Sequence, residues 1–304
     1  MSLYQELSES RPKKDVIFAI GVFDGVHRGH QHLMSIVRGE AEHKDAFSGI
    51  ITFANHPRNV LLPDNPILLI NGIEDRVNLL KHQVDFVLPL TFDIDLSKIR
   101  AKEFCRNLVE LVRMKGLVVG PDFALGFQRE GTPEVLAEIG QNLGFSVRVV
   151  DLLLQDEKGI SSTAIRAMIE AGDVVGAGQW LGYPVFVKGL VRFGAQQGKE
   201  LGFPTANIIP GTESVTPGDG VYAGLVDLGE GRLRPAAISV GSKPTFGING
   251  RVIEAFIIDF DSDIYGSVIK IEFHKRLRDQ LIFDSVEDLQ SQMSLDVEEV
   301  VKLI

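Results

Sequence analysis

The hydrophobic pattern of this sequence changes once, near Gly182, and that change limits the folds that the chain can adopt. In roughly the first half of the chain, short continuous apolar runs alternate with stretches of helical spacing. Continuous runs are typical of parallel strands that are covered on both faces, and the repeated strand–helix–strand order predicts a doubly wound parallel α/β sheet. The predicted strands are 16–23, 49–53, 84–90, 116–119 and 146–154, and the predicted helices are 27–43, 73–82 and 97–114.

After Gly182, apolar and polar residues alternate, and turns that contain glycine and proline separate the runs. This pattern predicts an antiparallel β-barrel, closed by one helix that has Ser285 as its N-cap. We therefore expect two domains, 1–182 and 183–304. The predicted strands of the second domain are 185–193, 221–228, 234–240, 252–260 and 267–274.

Composition excludes several classes of protein. The 304 residues carry 31 basic and 41 acidic side chains, a net charge of −10, which argues against a nucleic-acid-binding protein that neutralises phosphates. One cysteine, Cys105, excludes a disulfide framework and a cysteine zinc cluster. The first 15 residues lack the apolar core of a signal peptide, and no early apolar run approaches the ~20 residues that span a bilayer. We expect a cytoplasmic protein without membrane or nucleic-acid partners, a monomer or a weak homo-oligomer.

Residues 21–30, Gly-Val-Phe-Asp-Gly-Val-His-Arg-Gly-His, end an apolar strand and open a helix. His27 and His30 are three residues apart and share one face of the first helical turn. Free backbone N–H groups and the positive end of the helix dipole face the same opening, and Gly25 and Gly29 let an anion approach the backbone closely. The segment therefore predicts a phosphate-binding site with two imidazole donors.

Two histidines at this spacing are also compatible with incidental surface residues or with half of a zinc site. A zinc site normally needs another protein ligand, and neither His32 nor His43 completes a familiar spacing. Because the histidines accompany glycines and Asp24 at a strand-to-helix junction, phosphate chemistry is the favoured interpretation.

Residues 160–166, Ile-Ser-Ser-Thr-Ala-Ile-Arg, start another helix. Taken alone, the segment is best explained as an ordinary hydroxyl N-cap followed by a helical arginine. Its functional interpretation is a second helix N-terminus, with Arg166 able to bind a polyphosphate through paired charged hydrogen bonds. If the two preceding strands are neighbours, both segments face one cleft.

In the second half, Gly194, Gly198 and Lys199 superficially suggest a P-loop, but the spacing between the glycines and the residue after the lysine do not fit one. Thr205 and Asn207 follow in an extended stretch, so their side chains project from one face. Their oxygens suit Mg²⁺, although on spacing alone two local turn hydrogen bonds are the better explanation.

Residues 21–30 and 160–166 together resemble the adenylyltransferase motifs of the bacterial bifunctional riboflavin kinase/FMN adenylyltransferases, the FAD synthetases. Residues 52–58 and 120–126 are similar to that family's flavin- and nucleotide-side loops. The resemblance implies that His27 and His30 stabilise charge on the α-phosphate of ATP while the FMN phosphate attacks. It also implies contacts with ATP, including the departing pyrophosphate, at Gly21, Phe23, Asp24, Gly25, Ser161, Ser162, Thr163 and Arg166, of which Arg166 is catalytic. The implied flavin contacts of this domain are Asn55, Asp122 and Phe123.

Residues 198–207 look like the signature of that family's riboflavin kinase module, and 220–224, 240–246 and 252–260 match its later blocks in order. The resemblance implies that Thr205 and Asn207 bind Mg²⁺ and that Glu254 is the base for the riboflavin 5′-hydroxyl. A primary alcohol needs such a base, whereas the FMN phosphate is already anionic. Further implied contacts are Gly198, Lys199, Pro204 and Thr205 with ATP, and Glu254, Arg278 and Phe283 with the flavin.

The resemblance covers nearly the whole chain and implies two reactions. The C-terminal domain phosphorylates riboflavin to FMN with ATP, and the N-terminal domain, a nucleotidyltransferase type of α/β sheet, adenylylates FMN to FAD with release of pyrophosphate. Mg²⁺ is the expected cofactor, ATP the co-substrate, and flavins are substrate and product. One alternative is an adenylyltransferase with a catalytically silent flavin-binding barrel. Another is a flavin-sensing regulator, which the chemistry-bearing residues of both halves argue against.

Overall fold

The computed structural model describes residues 2–151, 154–155, 158–193, 202–242 and 251–304. The chain divides into two compact units, which are described separately. Unit one comprises Met1–Leu68 and Gly72–Ser161, and unit two comprises Leu69–Asn71 and Ser162–Ile304. In the described residues, no helix combines the length and the apolar character needed to cross a membrane.

Unit one contains a five-stranded parallel sheet in the order β3-β2-β1-β4-β5, which confirms the doubly wound fold. The strands are shorter than predicted at several ends; β1, for example, stops at Ile20, and Phe23 adopts a left-handed conformation with φ of 53°. The strands are β1 (Val16–Ile20), β2 (Phe47–Phe53), β3 (Phe86–Leu90), β4 (Met114–Val119) and β5 (Ser146–Val149).

Helices cover both faces of this sheet. Alternate side chains of β1 enter two hydrophobic clusters: Phe18 packs with α1, α5 and α6, whereas Ile17 and Ala19 pack with α2 and α4. This division explains why β1 is apolar at every position. The helices of unit one are α1 (Leu3–Glu9), α2 (Arg28–His43), α3 (Pro57–Leu61), α4 (Ile73–Lys81), α5 (Ala101–Val112) and α6 (Pro133–Leu143).

The end of unit one differs from the predicted strand 146–154. β5 ends at Val149. It is followed by two antiparallel strands of two residues each, β6 (Leu154–Gln155) and β7 (Lys158–Gly159). β7 leads directly into the 160–166 segment.

Unit two contains a closed antiparallel barrel in the order β10-β11-β12-β9-β8-β13, which confirms the predicted barrel. Its interior is filled by branched and aromatic side chains, among them Ile208, Ile253 and Phe273, all at most 1% exposed. The strands are β8 (Val185–Arg192), β9 (Ala206–Pro210), β10 (Gly220–Asp227), β11 (Leu233–Ser242), β12 (Arg251–Ile257) and β13 (Val268–Arg278).

Among the described residues, unit two has the helices α7 (Ser162–Glu170), α8 (Val174–Leu181) and α9 (Val286–Leu303). α8 packs against β8 and β13, and α9 packs against β10 and β11. Ser285 is the N-cap of α9, as predicted, since its hydroxyl accepts a hydrogen bond from the backbone N–H of Asp288 at 3.1 Å. Because α7 and α8 pack with the barrel, the division between unit one and unit two falls earlier in the chain than the predicted domain boundary at 182/183. The predicted boundary stays a prediction.

Candidate active sites

The first candidate site lies where β1 passes into α2. A 3₁₀ turn, Asp24–Val26, follows the strand, and Gly25 supplies the positive φ of 78° that this turn requires. His27 is then the N-cap of α2: its Nδ1 accepts a hydrogen bond from the backbone N–H of His30 at 3.3 Å. Because Nδ1 is the acceptor, the proton of the neutral ring resides on Nε2. The cap therefore fixes His27 as a donor through Nε2.

The two predicted histidines are brought into direct contact. Their rings stack with centroids 3.6 Å apart and planes 17° apart, and the His30 ring also meets Phe23 edge-on at 5.1 Å. Phe23, Asp24 and His27 are buried, whereas Gly21 is half-buried. These contacts hold the imidazoles in one orientation at the helix N-terminus.

Burial keeps both imidazoles neutral near pH 7. It lowers the pKa of His27 from 6.5 to about 4. The pKa of His30 is lowered well below 6.5 by burial, by the neighbouring His27 and by the positive charge of Arg76. The pair therefore offers neutral N–H donors to an anion, in addition to the donors and dipole of the helix N-terminus.

Arg76 on α4 is a residue of this region that the sequence analysis did not select. Its side chain is completely buried, and it donates from Nη2 to the carbonyl oxygen of Phe53, where β2 ends. The sequence contained one signal for it: a basic residue between Ile73 and Leu80, on the face of α4 whose helical spacing predicts burial.

The predicted flavin-side residues of unit one occupy two loops. The Asn55 amide is bonded twice to Phe92, as a donor to its carbonyl oxygen at 2.7 Å and as an acceptor from its N–H at 2.9 Å. Asp122 is exposed and Phe123 is half-buried against the core. Asn55 therefore holds the loop after β2 to the segment after β3 through these two hydrogen bonds. Its contact with flavin stays a prediction.

The 160–166 segment falls at the division between the two units. Ser161 ends unit one and Ser162 begins α7 in unit two. On α7, Arg166 donates to the hydroxyl of Thr163 at 3.2 Å. The roles predicted for Ser161, Ser162, Thr163 and Arg166 remain predictions, as does the cleft shared with the histidines.

The second candidate site is a row of polar side chains on the outer face of the barrel. Glu254 on β12 is paired with Asn207 on β9 on one side and with Ser239 on β11 on the other. Directly opposed residues of antiparallel strands project from the same face, with Cβ atoms about 5 Å apart. The neighbours of Glu254, Ile253 and Ala255, are fully buried in the barrel. The alternation of side chains along β12 therefore places Glu254 outside the core.

Other groups border this row. The Gln280 amide donates to the Ser239 hydroxyl at 2.9 Å and to the Val240 carbonyl at 3.0 Å. Phe203 and Phe256 meet edge-on with centroids 5.3 Å apart. Pro204 and Thr205 lead into β9, whereas Gly198 and Lys199 lie outside the described residues.

The side-chain oxygens of Thr205 and Asn207 suit a magnesium ion that takes its remaining ligands from water and ATP phosphates. In the described parts of the chain, no three His, Cys, Asp or Glu side chains form a group suited to holding a metal ion by themselves.

The two remaining predicted flavin contacts are Arg278, the last residue of β13, and Phe283, which lies between β13 and α9. Arg278 forms a bidentate ion pair with Asp296: its Nε donates to Oδ1 at 2.9 Å and its Nη2 donates to Oδ2 at 2.6 Å. Its Nη1 donates to the Asp279 carbonyl at 3.0 Å. Phe283 is half-buried. In this structure the Arg278 guanidinium links β13 of the barrel to α9 through its ion pair with Asp296. Its contact with flavin stays a prediction.

Comparison with known proteins matches both halves of the chain. The FAD synthetase family model matches residues 9–164, and the riboflavin kinase family model matches residues 181–304. A bifunctional riboflavin kinase/FMN adenylyltransferase from Bacillus subtilis is 32% identical over 94% of this chain and 92% of its own length. A protein of the same description from Haemophilus influenzae is 34% identical over 92% and 91%.

A solved structure has the same fold. It is described as a macrolide-efflux protein from Streptococcus pneumoniae, with a TM-score of 0.86 and 30% identity, and the match covers 96% of this chain and 95% of that one. Both family models and the relatives from B. subtilis and H. influenzae point to flavin chemistry, as the sequence motifs do. The chain belongs to the family of bifunctional riboflavin kinase/FMN adenylyltransferases, enzymes that phosphorylate riboflavin to FMN and adenylylate FMN to FAD.

Proposed function

We propose that FMN is adenylylated at the His27–His30 pair of unit one and that riboflavin is phosphorylated at the Glu254 row of unit two. The two sites differ in chemistry as the two reactions require. The first offers neutral imidazole and helix N-terminal hydrogen-bond donors to an anion that needs no base, and the second places a carboxylate beside neutral oxygen donors. This contrast carries the proposal.

At the first site, the FMN phosphate attacks the α-phosphorus of ATP, and the bond to pyrophosphate breaks. The nucleophile is already anionic, so the site has to align the two phosphates and stabilise developing charge. The donors of His27, His30 and the start of α2 would bind the α-phosphate. Ser161, Ser162, Thr163 and Arg166 would hold the departing pyrophosphate, and Gly21, Phe23, Asp24 and Gly25 would border ATP.

At the second site, Glu254 would accept the proton of the riboflavin 5′-hydroxyl as that oxygen attacks the γ-phosphorus of ATP, and the bond from the γ-phosphorus to ADP breaks. Thr205 and Asn207 would hold Mg²⁺, which when bound neutralises phosphate charge. Gly198, Lys199 and Pro204 would contact ATP. Asn207 stands directly beside Glu254 in the sheet, which supports placing the ATP phosphates next to the base.

The proposed domains are 1–182 for adenylylation and 183–304 for phosphorylation, and the cytoplasm is the proposed location. The alternative of a silent barrel is not favoured. The riboflavin kinase family model covers the barrel, and the pairing of Asn207 with Glu254 on neighbouring strands supports a catalytic role for it.

The direct test is a chromatographic time course of the purified protein with ATP and Mg²⁺, started from riboflavin in one reaction and from FMN in another. We expect FMN and then FAD from riboflavin, and FAD from FMN. FAD from FMN with no product from riboflavin would contradict the kinase assignment. No FAD in either reaction would contradict the adenylyltransferase assignment.

A further inference from the structure

Arg76 lies at the carboxyl end of β2, close enough to His30 for its charge to lower the pKa of that imidazole. Its helix, α4, packs against the 3₁₀ turn that contains Asp24. From Nη2 it donates to the Phe53 carbonyl, with a longer contact of 3.5 Å to the Ala54 carbonyl. Arg76 thereby ties α4 to the segment that leaves β2, next to the strand that leads to His27.

Most of the hydrogen-bonding capacity of this guanidinium is unused. Within the described chain, Nε and Nη1 of Arg76 are buried and have no hydrogen-bond partner. A buried cation with unpaired donors is costly, and an arginine side chain does not escape that cost by losing its proton. A buried arginine with unpaired donors indicates that a bound anion supplies part of the negative charge near its guanidinium, because the protein alone does not fully supply it.

The charged and titratable groups around Arg76 are few. Burial lowers its pKa, and the Asp24 carboxylate opposes that effect. Among the described residues, the His30 imidazole also senses the charge of Arg76, and both imidazoles of the pair are neutral near pH 7. Within unit one, the histidine pair therefore supplies hydrogen bonds but no full positive charge, and Arg76 supplies a permanent one.

We propose that Arg76 is a positioning residue for adenylyl transfer, whose permanent charge, close to His30, stabilises the phosphate groups bound at the histidine pair. The ligand chemistry is a phosphate oxygen, from ATP or from FMN. Because Arg76 is completely buried, it acts through space on that charge and through its bond to the end of β2. This inference depends on the proposed function of the histidine pair.

Two substitutions separate charge from packing. Arg76→Lys keeps a positive charge, and Arg76→Met keeps a long side chain without it. Each variant is made in the full chain. Riboflavin phosphorylation reports that unit two is intact, and inhibition of FAD formation by adenosine reports that the nucleotide site of unit one still forms. The assay is conversion of FMN to FAD, with the KM for ATP and the KM for FMN measured separately.

Two inhibitors then serve as probes of the site: pyrophosphate, which is an anion, and adenosine, which is neutral. For Arg76→Met we expect kcat to fall and pyrophosphate inhibition to weaken, each by roughly tenfold or more. Adenosine inhibition should not change, and Arg76→Lys should recover most of both losses. A rise in the KM for ATP or in the KM for FMN identifies which phosphate senses the charge, and either result supports the proposal.

The proposal is overturned if Arg76→Met and Arg76→Lys lose activity equally, since the charge would then not be the property that matters. It is also overturned if inhibition by pyrophosphate and inhibition by adenosine weaken equally in Arg76→Met, as expected for a purely structural role. Full activity of Arg76→Met would overturn it too, because that result is expected if Asp24 neutralises Arg76. Failure of the wild-type protein to convert FMN would instead refute the proposed function itself.

Discussion

At the scale of single residues, the structural role of His27 and its proposed chemical role require the same protonation state. As the N-cap of α2 it must present an unprotonated Nδ1 to the His30 N–H, and as the proposed phosphate ligand it must present a proton on Nε2. The neutral ring meets both requirements, whereas the protonated ring loses the cap. The spacing of the two histidines was readable from the sequence. The stacking and the depressed pKa values were not, because they depend on burial by residues distant in the chain.

This coupling predicts a pH dependence of stability in unit one. In the unfolded chain His27 binds a proton below about pH 6.5, whereas in the folded chain it does so only below about pH 4. The unfolded state therefore holds more protons between these values, and the stability contribution of His27 is present above pH 6.5 and lost as pH falls toward 4. The loss amounts to about 3 kcal/mol, and His30 changes in the same direction.

His27→Asn is the matched variant, because asparagine also caps helices but does not titrate. We expect the wild-type protein to lose about 3 kcal/mol more stability than this variant between pH 6.5 and pH 4. Hydrogen exchange of unit-one peptides across a urea series at each pH measures the difference. Equal losses in the two proteins would show that His27 is not held neutral by the fold.

At the scale of elements, both the successes and the misses of prediction have physical causes. The central parallel strands are continuous apolar runs and were readily located. β9, which carries Asn207, was not among the predicted strands, because only Ile208 of its side chains is fully buried and the segment ends in Pro210. The helix α6 was missed although Pro133 at its start and Gly144 after its end are characteristic boundary signals.

One tertiary contact between elements was also not predictable from sequence spacing: the ion pair of Arg278 on β13 with Asp296 on α9. The two side chains are 18% and 8% exposed, and Gln292 donates to Asp296 as well, at 3.0 Å. Asp296→Ala leaves the guanidinium half-buried without its carboxylate, which should destabilise unit two by about 3 kcal/mol. Replacing both partners, as in Arg278→Met with Asp296→Leu, should cost much less.

Unfolding in guanidinium chloride, followed by tryptophan fluorescence, measures this effect. The chain has a single tryptophan, Trp180, and it lies on α8 in unit two, so the signal reports on that unit. If the double variant is destabilised as strongly as Asp296→Ala, packing at these positions rather than the unpaired charge determines the cost.

At the scale of the whole molecule, two folds that share one chain provide two different chemical environments. The helix N-terminus at the edge of a parallel sheet provides dipole and hydrogen-bond donors, and the outer face of the barrel provides a carboxylate. The sequence predicted both folds, and the roles that it assigned to the residues of each candidate site stay predictions. It did not reveal Arg76, whose significance comes from burial and unpaired donors that only the folded structure displays.

The central claim, that each reaction has its own site, is tested most directly by His30→Ala and Glu254→Gln, each assayed from riboflavin and from FMN. We expect His30→Ala to convert riboflavin to FMN at the wild-type rate and to form FAD about 10²-fold more slowly. Glu254→Gln should form no FMN from riboflavin, yet convert supplied FMN to FAD normally. Loss of both reactions in either variant, or retained kinase activity in Glu254→Gln, would contradict the account.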